Sequence, residues 1–144
     1  MRVYVASSWR NPHQPAVVEL LRRYNHQVYD FRNPSPGDTG FSWASIDPDW
    51  EKWTPQQYRE ALDHPLAVAG HLADYRAMQW CDACLLVLPA GRSASWELGW
   101  CMGAGKQPFI FVPSKTEPEL MFRGARMLTT WDELGNAFLW ERAP

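Results

Sequence analysis

Long apolar runs are missing from this 144-residue sequence. No stretch approaches the ~20 residues that a bilayer span requires, so the chain is not expected to enter a membrane. A strong charge of either sign is missing as well. Fourteen Lys and Arg stand against sixteen Asp and Glu, for a formal net charge of -2 and a pI near 6.1. That balance offers no electrostatic footprint to a nucleic-acid polymer or an anionic membrane. Cysteine is scarce, with three residues, expected to be reduced thiols in a cytoplasmic protein. No charged leader and apolar stretch opens the chain; Met1-Arg2-Val3-Tyr4-Val5 reads as a strand, so no secretory signal is expected. There is no internal repeat and no low-complexity tract. Of four His, only His13 lies near a strand-end loop, so no Ser-His-Asp set emerges.

A single globular domain over 1–144 is therefore expected, large enough for a core without disulfides or metals. Tryptophan and proline are over-represented, at nine and 12 residues. Trp9, Trp43, Trp50, Trp53 and Trp96 fall in predicted loops or at helix starts. Such aromatics form stacking surfaces for flat ligands or partners; an aromatic satellite core under a long loop accounts for them equally well.

Hydrophobic periodicity predicts strands at 2–7, 27–31, 83–88, 107–112 and 125–128. Helices are predicted at 13–24, 55–63, 65–80, 94–104, 117–123 and 131–140. Residues 32–53, rich in Pro, Gly, Asp, Ser and Trp, read as a long loop of the kind that is functional or disordered. Alternating strands and helices imply an α/β fold: a doubly wound, flavodoxin-like or Rossmann-like, five-stranded parallel sheet with helices on both faces.

The segment Cys84-Leu85-Leu86-Val87-Leu88-Pro89-Ala90-Gly91-Arg92-Ser93-Ala94-Ser95-Trp96-Glu97 carries the most information. It reads as a strand buried on both faces, a tight loop, and a helix with an acid in its first turns. Ligands on such sheets bind beyond the carboxyl ends of the strands, which is where Glu97 is expected. An acid that merely complements the helix dipole, with Ser93 or Ser95 as cap, explains the same pattern. Ser7, Ser8 and Arg10 follow the first strand at the same edge and suit an anion such as phosphate; they equally suit capping and surface pairing.

Other motifs carry less. Cys81-Asp82-Ala83-Cys84 ends a helix and enters a strand, so the dipole that activates a redox pair is absent. A zinc site would need further ligands, for which Cys101 and His71 are weak candidates. Gly99 to Lys106 departs from a P-loop in spacing and lacks the Ser or Thr after Lys106. Gly105 reads better as a helix C-cap.

With these residues in place, the chain resembles the nucleoside 2-deoxyribosyltransferase superfamily, which includes the nucleoside 5'-monophosphate N-glycosidases. The resemblance rests on Val3-Tyr4-Val5-Ala6-Ser7-Ser8-Trp9-Arg10, on Asp74 and Asp82 eight residues apart, and on Glu97-Leu98-Gly99. Gly105-Lys106-Gln107-Pro108 and Met121-Phe122-Arg123-Gly124-Ala125 add weaker support. It implies cleavage of an N-glycosidic bond, by hydrolysis or transfer, with no metal or organic cofactor. It implies Glu97 as nucleophile at the anomeric carbon and Asp74 as the group that meets the base or leaving nitrogen. Ser7, Ser8, Trp9 and Arg10, with Gly91, Ser93 and Ser95, would contact the substrate, and Asp82 would be structural. It further implies a homodimer or higher oligomer, with residues 118–125 or the aromatic loop reaching a neighbour's site. The chemistry wants Glu97 ionised and Asp74 able to give a proton. Two departures bear on the substrate. The transferases carry an Asp where this chain has Gly91, and the nucleotide hydrolases tend to have a Ser where it has Glu119. Nucleoside and nucleoside 5'-monophosphate both stay open, as do a non-catalytic nucleotide sensor and an NAD-cleaving enzyme.

Overall fold

Ala83–Val87 is apolar and buried at every position, which requires cover on both faces. The computed structural model, which describes residues 1–140, makes this segment the middle of an all-parallel sheet. The strands are β1 (Arg2–Ala6), β2 (Gln27–Asp30), β3 (Ala83–Val87), β4 (Gln107–Phe111) and β5 (Arg126–Leu128), in the order β2-β1-β3-β4-β5. Alternate residues of a strand face opposite sides. Val3, Val5, Leu85, Val87, Phe109 and Phe111 join one core with α1 (Gln14–Arg23) and α5 (Trp131–Trp140), through Val17, Val18 and Leu21 of the first and Leu134, Ala137 and Phe138 of the second. Tyr4, Cys84, Leu86 and Ile110 are buried on the other side. There α4 (Arg92–Gly103) packs Ala94, Leu98 and Cys101 inward. This is the expected doubly wound sheet with helices on both faces.

Helix ends are set by local chemistry. α1 stops where Asn25 adopts φ +60° and the N–H groups of Asn25 and His26 bond back to the carbonyls of Arg22 and Leu21. α4 stops the same way at Gly105, φ +74°, with Lys106 N–H donating to Cys101 O. Both are left-handed caps that close orphan carbonyls, and Gly105 is the cap expected of it. The short helix expected at 117–123 is instead a 3-10 turn over Leu120–Gly124.

The chain divides into two compact units. Met1–Asp30 and the described residues from Met78 onward carry the sheet, and Phe31–Ala77 form the second unit. Within the second unit the segment 32–53 is not featureless. It holds 3-10 turns at Trp43–Ser45 and Trp50–Lys52 and leads into α2 (Pro55–Ala61), which opens with a Thr54–Gln57 capping box. Trp43 packs edge-on against Phe41, Trp53 and Tyr58, with centroids 4.7, 5.6 and 5.9 Å away. Trp53 also donates its indole N–H to Asp47 at 2.7 Å. For Trp43 and Trp53, then, the satellite-core reading holds. The long helix α3 (Pro65–Trp80) begins at Pro65 as expected, and its last three residues belong to the first unit.

Candidate active site

The sheet order reverses between β1 and β3, because the chain goes from β1 to β2 on one side and later to β3 on the other. A crevice for ligands is expected at that point, beyond the carboxyl ends of these two strands. Two loops meet there. Ser7 donates its hydroxyl to Val87 O at 2.8 Å. Asn11 donates its side-chain amide to both Val87 O and Pro89 O, each at 2.9 Å. Residues 7–11 after β1 and 88–91 after β3 are thus bonded directly to each other.

Asn11 was not among the expected site residues, and it is 1% exposed. Its side-chain oxygen accepts the N–H groups of His13 at 2.7 Å and Gln14 at 3.2 Å. It therefore supplies the α1 start with the acceptor that the serines were expected to provide. Ser8 bonds locally instead: its hydroxyl accepts Arg10 N–H at 3.2 Å and its carbonyl accepts Asn11 N–H at 3.0 Å. Gln14, also buried, donates its amide to the buried carboxylate of Asp30 at 2.7 Å, at the carboxyl end of β2. Its position was readable: Gln14, Val17, Val18 and Leu21 share the inward stripe of α1. A polar residue on such a stripe marks a buried partner.

After β3 the helix starts earlier than expected. α4 begins at Arg92 with Gly91 in the cap position, extended and without a side-chain cap. Ser93 and Ser95 lie inside the helix, exposed, and cap nothing; the Ser95 hydroxyl reaches back to Gly91 O at 3.5 Å. Glu97 consequently falls in the second turn, and the first turn contains no acid. A dipole role fades over that distance, so helix complementation explains Glu97 less well than the sequence suggested. Glu97 is half-buried and flanks the inward stripe of Ala94, Leu98 and Cys101. Trp9 and Trp96 are 50% and 57% exposed. At Gly91, nothing lies within 4 Å of where a Cβ would stand.

Asp74 belongs to the second unit. It is half-buried on α3, on the helix face that also carries His71 and Tyr75, whose rings stack at 5.9 Å. Asp82 lies at the opposite, amino edge of the sheet. It accepts Arg2 N–H at 2.8 Å and Arg2 Nε–H at 3.1 Å. The bonded guanidinium holds its carboxyl below the ordinary range. The cation of Arg2 also lies 5.7 Å from the Trp80 ring centroid, and Lys106 closes the end of α3 by donating to Gln79 O and Cys81 O. Asp82 is a structural ion pair.

The three thiols are buried. The contact with Cys101 and burial push Cys81 far up. Cys101 receives a hydrogen bond from Cys81 that lowers it, but Cys84, burial and the nearby Glu97 charge carry it up to about 12. These are packing thiols, not nucleophiles. Among the described residues no group of three or more His, Cys, Asp or Glu is arranged to hold a metal ion, and no helix is long and apolar enough to cross a membrane.

No protein-family model and no curated protein matches the sequence. Among solved structures, a 2-deoxyribosyltransferase from the psychrotolerant bacterium Bacillus psychrosaccharolyticus is similar. It is characterised as a biocatalyst for the synthesis of antiviral and antitumoral nucleosides. Its TM-score is 0.65 at 20% identity, over 94% of this chain and 91% of that one. This chain shares the 2-deoxyribosyltransferase-like fold.

Proposed function

We propose that the chain cleaves or transfers the N-glycosidic bond of a nucleoside or nucleoside 5'-monophosphate, with Glu97 as nucleophile. The observation that carries this reading is the place of Glu97: half-buried, past the reach of a helix-dipole role, on the helix that follows β3 at the switch point. The shared fold with a nucleoside-transforming enzyme supports the substrate class.

In this reading a Glu97 oxygen bonds to the anomeric carbon as the carbon–nitrogen bond breaks. Asp74 gives a proton to the departing base, and water or a second base then displaces the carboxylate. Ser7, Ser8, Trp9, Arg10, Gly91, Ser93 and Ser95 serve as substrate contacts. Ser7 contributes an oxygen acceptor, since its proton is spent on Val87 O. The reaction proceeds in the cytoplasm with no cofactor. Leu120 and Met121, 83% and 82% exposed on their 3-10 turn, support a homo-oligomer, because such apolar surface is costly to leave wet. A stable monomer by light scattering at micromolar concentration overturns that part.

Incubation with a panel of nucleosides, nucleoside monophosphates and NAD, followed by chromatography, should show free base. Glu97→Ala should abolish it while the fold and most ligand affinity persist, because a nucleophile acts mainly in the transition state. Asp74→Asn should impair release less for bases that leave easily. Full activity in Glu97→Ala refutes the nucleophile assignment. Tight nucleotide binding by the wild type without base release establishes a sensor instead, and NAD as the one substrate cleaved establishes the dinucleotide reading.

A further inference from the structure

We infer that Asn11 is the positioning residue of this site, the side chain that sets the spacing between the loop after β1 and the loop after β3. One buried amide bonds in two directions. Its nitrogen holds Val87 O, the last carbonyl of β3, and Pro89 O in the loop that follows. Its oxygen accepts the N–H of His13, the cap residue of α1, and of Gln14, the first residue of that helix. The nitrogen half is a clamp across the switch point; the oxygen half is a helix cap. Only an amide does both, since the clamp needs two N–H donors and the cap needs an acceptor on the same planar group. Ser7 to Arg10 stand directly before the clamp, and Pro89 lies three residues before Arg92, where α4, the helix that carries Glu97, begins. Loss of the clamp leaves the Ser7–Val87 bond in place but loosens the rest of the substrate-contacting loop against the segment that delivers Glu97. A misplacement of about 1 Å at a reacting pair costs ~100-fold in rate.

The inference rests on the glycosidic reading for its effect on rate but not for the clamp itself, so the test has two arms. Asn11→Asp keeps an acceptor for α1 but sets an ionised carboxylate against two carbonyl oxygens; in acid, protonation restores one O–H donor. Asn11→Ser keeps an acceptor, is neutral, and gains nothing from acid. Backbone hydrogen exchange over residues 7–14 and 86–92 is measured at about pH 8 and about pH 5.5, corrected for intrinsic rates, on variants whose circular dichroism matches the wild type. Both variants should exchange faster in both segments at the higher pH. Asn11→Asp alone should recover at the lower pH. Unchanged exchange in 86–92 overturns the clamp, whether or not any base is released. In the activity arm, kcat at the higher pH should fall by about 10- to 100-fold while KM shifts far less, and the Asn11→Asp to wild-type ratio should rise in acid. Loosened loops with an intact kcat overturn the positioning role. A wild type that releases no base from the panel sinks the glycosidic reading and leaves the exchange arm to decide the clamp.

Discussion

Replacing Gln14 with Ala removes the amide that donates to the Asp30 carboxylate at 2.7 Å, with both side chains buried. Two losses add. A hydrogen bond to a charged group contributes ~1.5–3 kcal/mol, and its removal strips a buried carboxylate of a donor. The methylene that goes with it is worth ~0.8 kcal/mol of burial. A fall of about 2.5–4 kcal/mol follows, which for a chain of this size is roughly 8–14 °C in Tm. Asp30→Asn should cost less, about 1 kcal/mol, because an acceptor oxygen stays in place without its charge. Urea unfolding followed by circular dichroism measures both, and the Gln14→Ala/Asp30→Ala cycle isolates the pair, with an expected coupling above about 1 kcal/mol. A loss under about 1 kcal/mol for Gln14→Ala, or a coupling indistinguishable from zero, would show that the buried pair does not hold α1 to the end of β2.

Three further outcomes are expected. The Asp82 carboxyl, held low by Arg2, contributes stability that is fully present above the ordinary ~3.9 and is lost as pH falls through its lower folded value. Arg2→Ala should therefore flatten the acid limb of Tm against pH, and parallel profiles would contradict the pairing. The raised, buried thiols of Cys81 and Cys101 should resist an aromatic disulfide reagent at about pH 8 until denaturant is added; rapid labelling of the native protein would count against their burial. Gly105→Ala forces a Cβ into the left-handed region at φ +74° and should cost ~1–2 kcal/mol, seen as a lower urea midpoint, whereas Asn25→Gly at the equivalent cap of α1 should cost nothing.

How far the sequence could be read depended on whether a signal was local. β3 was legible because five consecutive buried apolar residues leave few alternatives, and the strand–helix alternation then dictated the sheet. Caps were read less well. Ser93 and Ser95 looked like cap residues, but Gly91 in extended conformation already ends the loop, so the helix starts at Arg92 and Glu97 slides into its second turn. The compact second unit was hidden because Pro, Gly and Ser give residues 32–53 the composition of a loop, while its order comes from the packing of Phe41, Trp43, Trp53 and Tyr58. At the site, topology alone announced the two loops at the switch point. The bonds that join them, from Asn11 to Val87 and Pro89, cross more than seventy residues, and no local pattern encodes such a distance.

The position of β1 between β2 and β3 shapes how the chain must fold. Val3 pairs with Val28 on one side and with Ala83 on the other, eighty residues further along. The pairings of β3 with β4 and of β4 with β5 are each far more local. Closing the longer loop adds only about 1 kcal/mol of chain entropy over the shorter ones, but it delays the contact, because distant pairings are slow to reward their closure. During synthesis β1 emerges first and has β2 alone for company, a two-stranded pair that is marginal in water. The sheet can close only once Ala83–Val87 has been made. The loop after β1 acquires its partners at Val87 and Pro89 at that same moment, so a nascent chain has no site until its central strand arrives.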